Sequence, residues 1–411
     1  MPRITRDALA ALDAADALAP FRDRFILPDG VIYLDGNSLG PVPKATPGRI
    51  AEVVAREWGN SLIRAWTDHG WILSPARVGE KIGRLIGAAP GSTVVADSTS
   101  VNLFKLLAAA LDARPARPVI LTETGNFPTD LYMAQGLAAL LGRGHALRVV
   151  DDPLCALGRD VAVLMLTHVN YRSGAMHDMA AVTRAAHAAG ALVLWDLSHS
   201  VGAVPLQLAA DDVDLAVGCG YKFLNGGPGA PAFLSVAPHL QTGLRLPLTG
   251  WLGHAEPFAF DPVYRPVEGI ARAVVGTPPV LSLAALEVGV DLMLQVPMAE
   301  LRAKSVRLVG LFLELVAREC AEHGFAPLTP AEAARRGSQV SFAHPDGYAI
   351  MQALIDRGVI GDFRAPDVLR FGLAAPYVRY IDVWDAVALL CDVMRSGAWR
   401  DAKFHARRGV T

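Results

Sequence analysis

The chain has 411 residues, 52% of them hydrophobic and 19% charged, and carries a net charge of −2. That apolar content excludes a disordered chain, the near-neutral balance argues against a nucleic-acid partner, and the length allows two or three domains of roughly 150 residues. Four cysteines, Cys155, Cys219, Cys320 and Cys391, show no paired spacing. They exclude a disulfide scaffold and a zinc pattern, and a reducing cytoplasm fits best.

The first 21 residues are interrupted by Asp13 and Asp16 and do not read as a secretory signal. Residues 7–19 read as a short amphipathic helix stopped by Pro20. VIYLD (31–35) reads as a strand, and GNSLGPVP as a Gly/Pro-rich loop. Helical periodicity covers Arg49 to Trp58 and Arg77 to Ile86. Strands and helices then alternate. The strands are TVVAD (93–97), RPVILTE (117–123), ALRVV (146–150), VAVLMLTH (161–168), ALVLWD (191–196) and LAVGCG (215–220). The helices are VNLFKLLAAAL (101–111), the stretch from Pro128 to Leu141, and MAAVTRAAHAAG (179–190). Continuously apolar strands separated by helices predict an α/β domain with a mostly parallel sheet flanked by helices. The uncharged run Phe223–Leu244 is long enough to cross a bilayer, but its glycines and prolines forbid a continuous helix. It reads as buried, irregular backbone, and no membrane partner is expected.

Residues 280–323 read as almost wholly helical, a spine. They are followed by strand (339–345), helix (347–358), strand (368–374) and helix (381–395), a smaller α+β unit. The expected division is an N-terminal arm packing with the small domain (1–50), a large domain (51–290) and a small C-terminal domain (291–411).

Ligands of an open parallel sheet sit beyond the carboxyl ends of its strands. The polar residues just past each apolar strand are therefore the candidates. Asp196 ends ALVLW, where a helix N-cap is an equally ordinary use for it. Lys222 follows LAVGCG and is the only Lys, Arg, Asp or Glu between Asp214 and Arg245. Apolar surroundings desolvate an amine and make it nucleophilic, as Schiff-base lysines require. A strand-end Asp and a strand-end Lys suit pyridoxal phosphate: the carboxylate keeps the pyridine nitrogen protonated, and the lysine carries the aldehyde carbon. Ser98, Thr99 and Ser100 precede a helix, where backbone N–H groups can hold phosphate or the side chains can simply cap. Phe127 can stack on a ring face or belong to the core.

The motifs YLDGNSLGP (33–41), NFPTDLYM (126–133), DLSHSVGAVPL (196–206), GCGYKFLNGGPG (218–229), GWLGH (250–254) and VLRFGLAAPYV (368–378) together resemble the kynureninase family. The likeness runs from about residue 10 to 400, and six motifs in order make it specific. It implies the fold-type-I pyridoxal-phosphate architecture, shared with class V aminotransferases and cysteine desulfurases.

The resemblance implies the following roles. Lys222 carries pyridoxal 5′-phosphate, Tyr221 lies by the phosphate and relays protons, and Asp196 pairs with the ring nitrogen, assisted by Asp130. Phe127 stacks on the ring, with Pro128 and Thr129 in the same cofactor-binding motif. Thr99 and Ser100 occupy the phosphate loop, and Thr167 and His199 contact the cofactor. Trp251 and Thr277 reach the phosphate of the neighbouring subunit, so a homodimer with a shared active site is expected. Arg370 binds the substrate α-carboxylate, Asn37 lines the amino-acid pocket, and Trp66 is an aromatic wall or plain core. No metal is expected.

The implied reaction, a step of tryptophan catabolism, is hydrolysis of L-kynurenine to anthranilate and L-alanine. VVGTPPV around Gly276-Thr277 offers few polar partners for an extra hydroxyl, which favours kynurenine over 3-hydroxykynurenine. The rival readings are a class V aminotransferase, a cysteine desulfurase and a non-enzymatic cofactor-binding protein. A desulfurase needs a reactive cysteine on a mobile loop. Cys219 falls in a strand and Cys320 and Cys391 in helices, while Cys155 sits in a connecting loop.

Overall fold

The computed structural model describes residues 4–407; the extreme ends of the two terminal segments, 1–3 and 408–411, lie outside it. The strand expected at VIYLD is reduced to β1 (Ile32–Tyr33). A seven-stranded sheet follows, made of β2 (Thr93–Val95), β3 (Val119–Glu123), β4 (Ala146–Val150), β5 (Val161–Thr167), β6 (Leu192–Asp196), β7 (Leu215–Gly218) and β8 (Phe233–Val236). Their spatial order is β2-β8-β7-β6-β5-β3-β4. All neighbours are parallel except β8, which is antiparallel to both β2 and β7.

β8 corrects the reading of the uncharged run as irregular. Its four residues are fully buried because they plug the gap between β2 and β7. The flanking glycines and prolines had hidden so short a strand. Side chains of the central strands serve two cores. Leu164, Leu166 and Trp195 pack with helices Ser74–Leu85, Met179–Ala188 and Val280–Met293, while Val163, Met165 and Leu194 pack with Thr99–Ala113 and Pro128–Leu141. Burying each such side chain contributes about 1.5–3 kcal/mol before chain entropy is counted. Fully covered faces are why these strands read as unbroken apolar runs.

The expected spine is broken. Helices Val280–Met293 and Met298–Glu319 meet at 86°, with Pro297 at the start of the second. Proline lacks the N–H and clashes with the preceding turn, so the helix stops before it. The remainder holds β9 (Ala326–Pro327), β10 (Gln339–Ala343), β11 (Val359–Ile360), β12 (Asp362–Arg364) and β13 (Val368–Gly372). Four of them form an antiparallel sheet in the order β12-β13-β10-β9, and β11 pairs parallel with β1. Phe312, Phe342 and Phe371 lie at its centre, with the Phe312 and Phe371 rings 4.9 Å apart.

The N-terminal helix is shorter than expected, Arg6–Ala14, with a separate turn at Ala19–Arg22. Asp13 accepts hydrogen bonds from the Tyr380 and Ile381 N–H groups at 2.7 and 3.0 Å, capping helix Tyr380–Ser396. Asp16 pairs with the buried Lys304 at 2.7 Å. Cys320 and Cys391 form a disulfide across 71 residues, contrary to the expectation that the cysteines are unpaired. Sequence spacing could not show it, because only the packing of two distant helices brings the thiols together.

Candidate active site

Strand register assembles the site. Thr167 at the end of β5 pairs with Asp196 at the end of β6, and Asp196 pairs with Val217 of β7, so three strand termini open on one place. Lys222 lies four residues past β7. Gly40 makes room for the N-terminal loop there: a Cβ at Gly40 would lie 2.3 Å from the Lys222 carbonyl oxygen, and its N–H donates to the Tyr221 carbonyl at 2.8 Å.

Thr99, Ser100, Phe127, Thr129, Asp130, Thr167, Asp196, His199, Tyr221 and Lys222 all line one cavity of about 150 Å³. Lys222 Nζ stands 3.0 Å from His199 Nε2 and 5.9 and 5.8 Å from the ring centres of Phe127 and Tyr221. Lys222 is half-buried rather than enclosed. Pro128 does not line the cavity; it starts helix Pro128–Leu141, where its fixed φ suits the first turn. Ser98 caps helix Thr99–Ala113 through a bond from the Val101 N–H at 3.3 Å.

Asp130 and Asp196 are both buried. Burial pushes the Asp130 carboxyl well above its usual range, and the neighbouring Asp196 adds to this. Burial also raises Asp196, against the opposing effect of the Ser198 N–H, which donates to it at 2.8 Å. Desolvation and the Lys222 ammonium hold the His199 imidazole well below its ordinary value, so it is neutral. The nearby Cys219 and burial raise the Tyr221 phenol. Asp130 Oδ1 and His199 Nδ1 are buried without a hydrogen-bond partner. Orphaned polar atoms of this kind cost free energy unless something else satisfies them.

That set fits a phosphorylated pyridine aldehyde. A buried carboxyl could pair with a protonated ring nitrogen, an amine could take up the aldehyde carbon, and a helix N-terminus could receive the phosphate.

Other expected residues lie outside the cavity lining. Trp251 is 43% exposed, edge-on to Phe258 at 5.7 Å, and Thr277 is exposed. Trp66 is half-buried, edge-on to Trp71 at 5.7 Å. Asn37 is fully buried, and both of its amide atoms are unpartnered. Arg370 is buried and committed: Nε donates to Asp362 Oδ1 at 2.8 Å, Nη2 to Asp362 Oδ2 and to Ser38 Oγ at 2.8 Å, and Nη1 to the Tyr171 carbonyl at 2.6 Å. Its two-pronged face therefore holds Asp362, and only its outer end can meet a ligand.

Tyr171, Ser198 and Cys219 also line the cavity and were not expected there. The Tyr171 ring meets Phe127 edge-on at 5.1 Å. No strand end announces Tyr171 in the sequence, whereas Ser198 and Cys219 lie within motifs already singled out. Asp362 and Ser38, which fix Arg370, were likewise missed; Ser38 falls inside YLDGNSLGP.

The fold recurs in solved structures. A cysteine desulfurase from Thermococcus onnurineus superposes with a TM-score of 0.76 at 19% identity, covering 92% of this chain and 98% of that one. A cystine C–S lyase in complex with cysteine persulfide gives 0.76 at 16% identity, covering 89% and 98%. These likenesses establish the architecture, that of the fold-type-I pyridoxal-phosphate enzymes.

Sequence comparison is more specific. Residues 301–390 match the kynureninase C-terminal domain. Kynureninase of Pseudomonas fluorescens is 53% identical over 414 residues, covering 99% of this chain and all of that one. Kynureninase of Burkholderia pseudomallei strain 1106a is 51% identical with the same coverage. The chain belongs to the kynureninase family, hydrolases that cleave L-kynurenine with pyridoxal 5′-phosphate as cofactor.

Proposed function

We propose that Lys222, Asp196 and Tyr221 carry out this family reaction, L-kynurenine plus water giving anthranilate and L-alanine, in the cavity at the carboxyl ends of β5 to β7. The observation that carries the assignment is the meeting of Lys222, Asp196 and the Thr99–Ser100 turn around one cavity. When bound, the cofactor supplies an electron sink for the charge left by loss of the substrate α-proton.

Lys222 would hold the cofactor and, when its amine is free, would take the α-proton on Nζ and return a proton to Cα before alanine leaves. The neutral His199 beside it, 3.0 Å away, does not compete for charge. Asp196, held by the Ser198 N–H, would ionise against the ring nitrogen, while Asp130 would stay protonated because burial, and then the charge of Asp196, disfavour its carboxylate. Water adds to the γ-carbonyl carbon, and the Cβ–Cγ bond breaks. Tyr221 delivers the proton to the alanine Cβ as a general acid. Arg370 receives the α-carboxylate on the end of its guanidinium, exchanging Ser38 or Tyr171 for it, with Asn37 beside the amino-acid pocket.

Trp66 is the aromatic wall for the aniline ring in this reading, and the exposed Trp251 and Thr277 belong to a homodimer, where they complete the partner's phosphate site. The exposed apolar side chains Trp58, Leu62, Ile63 and Phe260 support such an interface. The division into 1–50, 51–290 and 291–411, preference for kynurenine over its 3-hydroxy form, a cytoplasmic setting and a place in tryptophan catabolism belong to the same proposal. Among the described residues no single helix is long and apolar enough to cross a membrane.

Borohydride reduction of the holoenzyme followed by peptide mapping tests the centre of the proposal, with the pyridoxyl group expected on Lys222. Anthranilate fluorescence should appear from kynurenine without any added keto acid. A label on another lysine, or turnover that requires a keto acid, would falsify the reading.

A further inference from the structure

Lys105 is a fully buried cation that the proposed reaction does not use. It sits in the apolar helix Thr99–Ala113, and its ammonium donates to two acceptors: the carboxylate of Asp97 and the Ala273 carbonyl at 2.7 Å. A buried ion pair is a poor source of stability compared with apolar packing, so its position is more informative than its energy.

Both acceptors lead to phosphate-site segments. Asp97 has φ +47°, a left-handed conformation that only glycine adopts freely, and it directly precedes the Ser98–Thr99–Ser100 turn at the cavity. Ala273 ends the turn Gly269–Ala273, from which the chain continues through Val275 to Thr277. The Val275 carbonyl lies against Gly250, where a Cβ would come within 1.8 Å of it, and Trp251 is the next residue. The same segment is fixed from behind by Arg272, which donates to the carbonyls of Val267 and Gly269 at 3.1 and 3.2 Å.

We propose that Lys105 is a positioning residue that holds the phosphate-facing turn 97–100 in its strained form and ties it to segment 250–277. The proposal rests on the reading that the turn binds phosphate in its own subunit and that Trp251 and Thr277 reach the partner's phosphate. One buried ammonium then sets the half-site the chain keeps and the half-site it lends.

The test compares binding of pyridoxal 5′-phosphate and of pyridoxal, which lacks the phosphate, to wild type, Lys105→Met and Asp97→Asn. Lys105→Met should weaken the phosphorylated cofactor about tenfold, the loss of roughly one charge-assisted hydrogen bond, and leave pyridoxal binding unchanged. An equal loss for both ligands, or unchanged cofactor affinity in folded protein, would overturn the role. If Lys105→Met does not fold, Asp97→Asn decides by the same two ligands, since asparagine tolerates the left-handed backbone but lacks the charge.

The link between subunits is read in hybrid dimers. Pairing wild type with a Lys222→Ala, Lys105→Met chain leaves one lysine-bearing site whose own turn is intact and whose borrowed segment is not. Faster cofactor release there than in a wild type and Lys222→Ala hybrid is expected; equal release would remove the link. Failure to trap cofactor on Lys222 in wild type would instead strike the functional reading itself.

Discussion

At the scale of single residues, the chemistry is set by what burial does to charge. If Lys222 holds the cofactor as proposed, Lys222→Ala should abolish multiple turnover while the protein stays folded, as read by anthranilate release and circular dichroism. Near-normal turnover would refute the role. Arg370 shows why residue type is not enough: its fork is filled by Asp362, and lysine could not bridge Asp362 and a substrate carboxylate at once. Arg370→Lys should raise KM for kynurenine about tenfold or more with a smaller change in kcat; an unchanged KM would leave the carboxylate without this partner. Asp35 gives a pH signature. Burial first, and then Asp362, push its carboxyl up to about 8, well above the ordinary carboxylate value. The folded state then binds more protons than the unfolded one, so this group's contribution to stability falls as pH rises from about 4 to 8. Asp35→Asn should therefore be more stable than wild type near pH 8, with the difference shrinking toward pH 4. Urea midpoints across that range measure it, and a constant difference would count against the cause given.

At the scale of elements, the strands were legible and their ends carried the site. An apolar strand buried on both faces is an unbroken run of Val, Leu and Ala, so the first polar residue after it is conspicuous, as Thr167 and Asp196 are. Elements set by distant partners were not legible. β8 is four residues between glycine and proline runs, and it exists because β2 and β7 leave a gap. Tyr171 reaches the cavity from an irregular loop, and nothing in its neighbours marks it. Lys105 looks like a solvated helix charge until Asp97 and Ala273, the latter 168 residues away, are seen around it. The N-terminal helix is tied to helix Tyr380–Ser396 by the Arg6–Asp385 pair and by a cap: Asp13 satisfies two otherwise unpaired N–H groups and the positive end of that helix. Asp13→Ala should cost about 1 kcal/mol, visible as a lower denaturation midpoint with kynurenine KM unchanged.

At the scale of the whole molecule, the cavity within one chain is lined by Lys222, Asp196 and the Thr99–Ser100 turn but not by Trp251 or Thr277. If the partner supplies them, mixing inactive Lys222→Ala with impaired Trp251→Ala should restore turnover. In the hybrid, one site combines an intact lysine with an intact borrowed tryptophan. No recovery after verified subunit exchange would place Trp251 outside the partner's site.

The strand–helix alternation, the polar residues at the strand ends and the family were all legible in the bare chain, because these depend on local periodicity and on motifs contiguous in it. The tertiary structure decided which of those residues share a cavity, that Arg370 is already paired, that Cys320 meets Cys391, and that a lysine in an apolar helix is buried. Each of these depends on residues far apart in sequence, and their proximity is fixed only when sheet register and helix packing close the chain on itself.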